Sequence, residues 1–179
     1  MIILGVDPGT IRCGYGVIAV ATGKPVKRIA SGVIQLQSID TIPEKLGRIY
    51  ETLVALIKTH RPDELSIETA FYGKNIQSAL KIGLARGAAI LAAVNSGLTV
   101  SEYAPREIKK AVTGNGAAAK EQVLYMVQTI INEKKTKFAA DESDALATAL
   151  CHSFRVNTGS SKPKNWNDFV NNFPERIIG

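Results

Sequence analysis

The stretch IILGVDPGTIRCGYGVIAV (residues 2–20) contains two apolar segments rich in β-branched residues, separated by a Pro-Gly turn. The first segment, 2–7, is typical of a buried strand, and 13–20 is typical of a second strand. A third strand is predicted over 24–36, after a connection short enough for an antiparallel hairpin. The chain is therefore predicted to begin with three strands joined by tight connections.

Helices and strands alternate after these three strands. A helix is predicted over 44–60, where apolar residues recur at helical spacing, and a strand over 64–69. A long helix rich in small residues and a fifth strand follow over 75–97 and 98–103. Further helical segments are expected near 105–112, 117–133 and 139–155. Three antiparallel strands followed by a β-α-β unit predict an α/β fold in which helices flank a mixed five-stranded sheet.

The length and composition favour one soluble domain. The chain has 179 residues, of which 45% are apolar and 21% charged, so it can bury a substantial core. No apolar run reaches the roughly 18–20 residues that cross a bilayer, and the two cysteines do not indicate a disulfide framework. We therefore expect a cytoplasmic protein without a membrane partner. Residues 157–179 are rich in Asn, Ser and Pro, which predicts a flexible tail beyond a domain spanning 1–156. Trp166, Phe169 and Phe173 could instead dock part of this tail on the domain.

Four acidic residues occupy positions that stand out against this pattern. Asp7 and Glu68 end predicted strands, where the functional groups of α/β sheets tend to lie. A helical wheel of the last helix predicts a core stripe formed by Ser143, Leu146, Ala147, Leu150 and Phe154. Asp141 and Asp144 lie about 60° apart on one flank of this stripe. Glu142 lies on the opposite flank, where we expect it to be a solvated bystander. Taken singly, each acid has an ordinary explanation, as part of a turn, as an exposed strand end or as a complement to the helix dipole.

Considered together, the four acids predict a metal site at one edge of the sheet. Converging carboxylates do not all stay ionised without a counter-charge, and all-oxygen ligation suits Mg²⁺ or Mn²⁺. The net charge of +6 favours a polyanionic partner, with nucleic acid first and an anionic membrane second. A basic protein with an acidic metal site indicates hydrolysis of nucleic-acid phosphodiesters by two ions about 3.5–4 Å apart.

Four segments of the chain resemble the RuvC family of bacterial Holliday-junction resolvases, which have a ribonuclease H-like fold. They are ILGVDPGTIRCGYGVI (3–18), SIETAFYGKNIQSALKIGLARGAAI (66–90), EYAPREIKKAVTGNGAAAKEQV (102–123) and DESDALATAL (141–150). They follow one another in the family's order, and the resemblance covers about residues 1–156. It implies that the catalytic, metal-binding residues are Asp7, Glu68, Asp141 and Asp144, that two Mg²⁺ ions bind per site, and that Mn²⁺ can substitute.

The resemblance also implies a substrate and partners. It predicts a homodimer that nicks two strands of like polarity symmetrically about a four-way DNA junction, leaving 5′-phosphate and 3′-hydroxyl ends. RuvA and RuvB, which bind and migrate such junctions in recombination and repair, would be its partners.

In the helix over 75–97, small residues at four-residue spacing allow close approach of another backbone, either of the chain's own sheet or of a second subunit. These are Ala79, Gly83 and Gly87, and Leu91 continues the stripe. We expect the dimer to use this face.

Basic and aromatic residues near the acids are candidates for DNA contacts. The resemblance places Lys109 and Lys120 where the family has phosphate-contacting lysines. On physical grounds, Phe71 could stack on an unpaired base at the crossover, or pack in the core instead. The remaining candidates are Lys74, Lys81, Arg86, Arg106 and Lys110, some of which are expected only to line solvated helix faces.

Three other functions compete with a junction resolvase. The segment GVDPGT (5–10) resembles the first phosphate loop of actin-like and sugar-kinase ATPases, but the sequence contains no second phosphate loop. A non-catalytic junction-binding protein could share the fold, although the complete set of four acids favours an enzyme. A nuclease that acts on RNA would need a contact to the 2′-hydroxyl, which the sequence does not identify.

Overall fold

The computed structural model describes residues 1–69 and 76–157, and within them it contains five strands and five helices. In chain order these are β1 (Ile2–Asp7), β2 (Arg12–Ala19), β3 (Lys27–Gln35), α1 (Ile42–His60), β4 (Glu64–Glu68), α2 (Ile76–Asn95), β5 (Thr99–Tyr103), α3 (Pro105–Thr113), α4 (Lys120–Ile130) and α5 (Ala140–Asn157). The predicted tail lies, apart from its first residue, outside the described residues. Each element falls within three residues of its predicted bounds at either end.

The strands form one mixed sheet in the order β3-β2-β1-β4-β5. β1, β2 and β3 pair antiparallel, whereas β4 is parallel to both β1 and β5. This confirms the predicted sheet of three antiparallel strands followed by a β-α-β unit. Because β1 and β4 are parallel neighbours, with Val6 opposite Ile67, the acids that end them, Asp7 and Glu68, lie at the same edge of the sheet.

Helices cover both faces of the sheet. α1 and α2 pack on one face, in a core that contains Leu4, Val17, Leu53 and Ala89. α3, α4 and α5 cover the other face, in a core that contains Ile3, Ile18, Val127 and Leu150. α5 lies between the sheet and the helices α3 and α4, so every residue from 145 to 153 is buried. The predicted core stripe of α5 was therefore too narrow, because packing on two sides buries the whole circumference.

Glycines let α5 lie directly on the sheet. A Cβ at Gly5 or Gly14 would overlap the carbonyl oxygen of Ala145 or Asp141, respectively, and a Cβ at Gly16 would meet the Leu146 side chain at 2.7 Å. No side chain can therefore separate the two backbones at these strand positions. This contact determines the distance between the first turn of α5 and β2.

α2 differs from the other helices in its exposure. By length and composition alone, this helix could cross a membrane. Its sequence contains no uninterrupted apolar run of that length, because Lys81 and Arg86 interrupt it. One such helix is weak support for a span, and five alanines of α2 are buried in the core. The exposed side of α2 carries Ile76, Leu80, Leu84, Leu91 and Val94.

Candidate active site

Strand pairing and helix packing bring the four predicted acids together. Asp7 ends β1 and Glu68 ends the neighbouring parallel strand β4. Asp7 is also the register partner of Gly14 on β2, and the backbone of Gly14 lies against the backbone of Asp141. Asp144 is one turn further along α5 and lines a cavity of about 220 Å³ together with Glu68.

The acids influence one another's protonation. Burial raises the pKa of Asp7 to about 7, with further contributions from the nearby charges of Asp144 and Asp141. Burial likewise raises the pKa of Glu68 to about 8, and the charges of Asp7 and Asp144 add to this effect. Two carboxyl groups of the site therefore retain protons near neutral pH unless a cation compensates their charge.

Two basic side chains already face the acids. Arg12 Nε lies 3.0 Å from Asp141 Oδ2, and Lys120 Nζ donates a hydrogen bond of 3.3 Å to Asp144 Oδ2. The charge of Asp144 raises the pKa of Lys120. Asp141 Oδ2 is buried and, despite the proximity of Arg12, accepts no well-oriented hydrogen bond. This oxygen therefore has capacity to ligate a cation.

The type of donor fits a hard divalent ion, although the side-chain positions are not those of a formed metal site. In residues 1–69 and 76–157, no three Asp, Glu, His or Cys side chains converge closely enough to hold one ion. The four carboxylates supply only oxygen ligands, which Mg²⁺ and Mn²⁺ prefer. Asp141 faces Arg12 and Asp144 faces Lys120, so a bound ion would compete with these two basic side chains for the carboxylates. Ligation by all four acids stays a prediction.

The predicted DNA contacts differ in their positions relative to the acids. Lys109 and Lys120 line the cavity that contains Glu68 and Asp144, and both partly offset the rise in the Glu68 pKa that burial causes. Lys81 lines a second groove, of about 440 Å³, which also contains Arg12 and Asp141. These lysines therefore flank the acids on two sides.

Other predicted contacts lie elsewhere or cannot be assigned. Arg86 forms an ion pair with Glu102 on β5 and lines neither of the two cavities described above. Arg106 packs over Gly116 in the loop after α3, and Lys110 is exposed on α3. Phe71 and Lys74 fall outside the described residues.

Two features of the site were missed or misjudged from the sequence. Arg12 was not identified, since a basic residue at the start of a strand gives no sign of the acid that it faces. Glu142 was expected to be a solvated bystander, but it is half-buried and accepts a 2.6 Å hydrogen bond from Ser31 Oγ and a 3.2 Å bond from the Ala139 N–H. This expectation was wrong because the edge strand β3 reaches the outer flank of α5. Glu142 thereby ties the first turn of α5 to the sheet.

The metal-free protein is expected to lose stability as the pH rises through about 7 and 8. The unfolded-state pKa of an Asp or Glu carboxyl is about 4, so the folded protein holds protons that the unfolded chain releases. The resulting stabilisation is complete below pH about 4, declines progressively as the pH rises above that value, and is fully lost once the pH exceeds the raised folded-state values. Urea denaturation with a chelator, from about pH 5 to about pH 9, measures this loss, which is at most about 1.4 kcal/mol per pH unit for each proton.

Asp7→Asn is the matched control for this titration, because it removes one of the two groups without changing the size of the side chain. The decrease in unfolding free energy with rising pH should be smaller for Asp7→Asn than for the wild type. Added Mg²⁺ should also make this decrease smaller in the wild type, because it binds the ionised carboxylates. If Asp7→Asn leaves the pH dependence unchanged, the raised pKa of Asp7 is wrong.

Comparison with known proteins shows the family. Residues 3–152 match the family model described as crossover junction endodeoxyribonuclease RuvC. A curated relative of that name from Salinibacter ruber is 44% identical over 99% of both chains. Among solved structures, RuvC from Thermus thermophilus superposes with a TM-score of 0.82 at 33% identity, covering 89% of this chain and 97% of that one. The same protein in complex with a Holliday junction substrate gives a TM-score of 0.80 at 31% identity, with the same coverage of both chains.

The Thermus relative shares the mixed five-stranded sheet and its flanking helices, which confirms the ribonuclease H-like fold expected from the sequence motifs. The family match includes all four acids and both of the lysines that line the cavity of Glu68 and Asp144. The chain belongs to the RuvC family of crossover junction endodeoxyribonucleases.

Proposed function

We propose that this protein resolves four-way Holliday junctions in DNA recombination and repair by metal-dependent hydrolysis of phosphodiester bonds. The observation that carries the proposal is the meeting of Asp7, Glu68, Asp141 and Asp144 at one sheet edge, beside a cavity lined by Lys109 and Lys120. The basic side chains attract a phosphate backbone, and the acids supply the ligands for hydrolytic ions. Junction DNA is the substrate because a relative of the same fold binds it.

The acids and the lysines of the site would have different roles in hydrolysis. Asp7, Glu68, Asp141 and Asp144 would hold Mg²⁺, or Mn²⁺ in its place. Two such ions, when bound, would supply an activated water and charge stabilisation for the leaving oxygen. Lys120, which pairs with Asp144 without DNA, can transfer its hydrogen bond to a phosphate oxygen and leave Asp144 free for ligation. Lys109 lines the same cavity and neutralises charge on the phosphate.

The deciding experiment compares a synthetic four-way junction with a linear duplex of the same sequences. We expect paired nicks with 5′-phosphate and 3′-hydroxyl ends in the junction, with Mg²⁺ and not with a chelator. Binding without cutting would instead identify a junction-recognition protein. Equal cutting of both DNAs would identify a nuclease that is not selective for junctions. Cleavage of an RNA junction at the same rate would remove the preference for DNA.

We also propose that the protein acts as a homodimer formed through the exposed side of α2. Two cuts in one junction need two sites, and an isologous dimer provides them symmetrically. Leu80 and Leu84 are 64% and 49% exposed, and Gly83 and Gly87 have open space above them, so another backbone can approach closely. An apolar patch of this kind marks a protein interface. RuvA and RuvB would deliver the junction to this dimer in the cytoplasm.

Leu84→Glu should convert the dimer into a monomer, because a charge would be buried in an apolar contact. Light scattering at micromolar concentration measures the mass, and Tyr125→Glu, an equally drastic change at an exposed residue of α4, is the control. A monomeric wild type, or a Leu84→Glu protein that stays dimeric, contradicts the assignment of this face.

A further inference from the structure

The loop between α4 and α5 carries a basic surface that the proposed function does not use. Lys134, Lys135 and Lys137 are all exposed, and none of them forms an ion pair with another described residue. We infer that these three lysines form a second DNA contact, which holds a duplex arm of the junction beyond the site of cleavage. The inference rests on the proposed function and extends it, since the predicted contacts near the acids lie elsewhere.

The loop is held in a fixed position by hydrogen bonds that involve neighbouring elements. Glu133 accepts bonds of 3.0 and 2.7 Å from Arg28 Nε and Nη2 on β3, and a bond of 3.1 Å from Thr136 Oγ1. Gln128 Nε2 on α4 donates a 2.7 Å bond to the carbonyl oxygen of Thr136. Phe138 is half-buried in the core beneath the Arg28 guanidinium, which lies 5.4 Å from its ring centroid.

This anchoring also determines the charge that the loop presents. The one acid of the loop, Glu133, is matched by Arg28, so the charges of the three lysines are left uncompensated. Exposed lysines on a fixed loop suit contacts to phosphates, which position a duplex without reading its sequence. A protein partner would need a complementary acidic surface, and nothing in the fold favours one over the DNA that the site already requires.

The placement of the loop relative to the acids gives the position of the contact on the DNA. The loop starts beside Arg28 on β3 and ends at α5, where Ser31 bonds Glu142. Asp7, Gly14 and Val33 lie in one row across the sheet. From that row to Arg28 is five strand residues, about 17 Å, which corresponds to roughly five base pairs of duplex. The lysines are therefore expected to meet phosphates about three to eight base pairs from the cut.

The test measures junction affinity at several salt concentrations with a chelator present, so that binding is separated from cleavage. The test variant is Lys135→Gln/Lys137→Gln. The control is Lys58→Gln/Arg61→Gln, which removes the same charge from exposed residues at the carboxyl end of α1, on the other face of the sheet. We expect the slope of log affinity against log salt to fall by roughly one to two in the test variant, and to stay unchanged in the control.

A junction with neutral methylphosphonate linkages about three to eight base pairs from the cut tests the location. This junction should bind the wild type more weakly than normal DNA does. The difference between the two DNAs should be smaller for the Lys135→Gln/Lys137→Gln variant, because two of the three lysine charges are already lost. An unchanged salt slope, an equal drop in the control, or the same methylphosphonate effect in wild type and variant overturns the inference. Failure of the wild type to cut junctions with Mg²⁺ would instead count against the proposed function itself.

Discussion

Asp7→Asn is expected to reduce junction cleavage by about three orders of magnitude, which corresponds to several kcal/mol of transition-state stabilisation, while junction binding persists. Asp7 ends β1, the parallel neighbour of the strand that Glu68 ends, and its pKa responds to Asp144 and Asp141. Asparagine keeps the shape but supplies a neutral ligand, so the site loses charge where the proposed ions would bind. Because the substitution also relieves repulsion among the carboxylates, the metal-free protein should become more stable above pH about 7.

The control for this variant is Asp40→Asn, the same chemical change at an exposed acid before α1. Single-turnover cleavage of a saturating junction, together with affinity measured in chelator, separates a chemical defect from a binding defect. The assignment of Asp7 is wrong if Asp7→Asn cleaves as fast as Asp40→Asn. It is also wrong if cleavage is lost only in proportion to junction affinity.

Local patterns predicted much of the architecture. Alternation and turn chemistry identified the strands, and the shift to helical spacing identified the crossover helices. The positions of Asp7 and Glu68 at strand ends were sufficient to place them together, because parallel neighbours end at one edge. The helical wheel also placed Asp141 and Asp144 on one flank of α5, and both now act on the pKa of Asp7.

Contacts between distant parts of the chain could not be predicted in this way. Ser31 and Glu142 are separated by 111 residues, and their hydrogen bond depends on the path of an edge strand past a helix. Arg12 faces Asp141 for a similar reason. A wheel describes one helix in isolation, so it assigned a solvated flank to a helix that is covered on two sides. Periodicity reports which faces are apolar, and not which neighbours they meet.

Gly14→Ala is expected to cause the second large effect, because it changes the contact that positions the acids of α5. The added Cβ would overlap the carbonyl oxygen and carbon of Asp141 and approach the nitrogen of Glu142 to 3.2 Å. These are backbone atoms, which cannot rotate away as a side chain does. Overpacking of this kind costs about 1–3 kcal/mol, and relief requires the first turn of α5 to move away from β2. Cleavage should therefore fall by at least about tenfold, as expected when reacting groups are misplaced by about 1 Å.

A graded glycine series separates this effect from a general loss of stability. Gly16→Ala meets the Leu146 side chain, which can adjust, so it should destabilise the fold with a smaller loss of cleavage. Gly47→Ala adds a methyl group to open space on α1 and should stabilise the protein by about 0.5–1 kcal/mol. The measurements are urea denaturation and single-turnover cleavage well below the unfolding transition. If Gly14→Ala is destabilised yet cleaves as fast as Gly47→Ala, the acids do not depend on the contact between α5 and β2, and the catalytic geometry must be set by the bound ions and DNA instead.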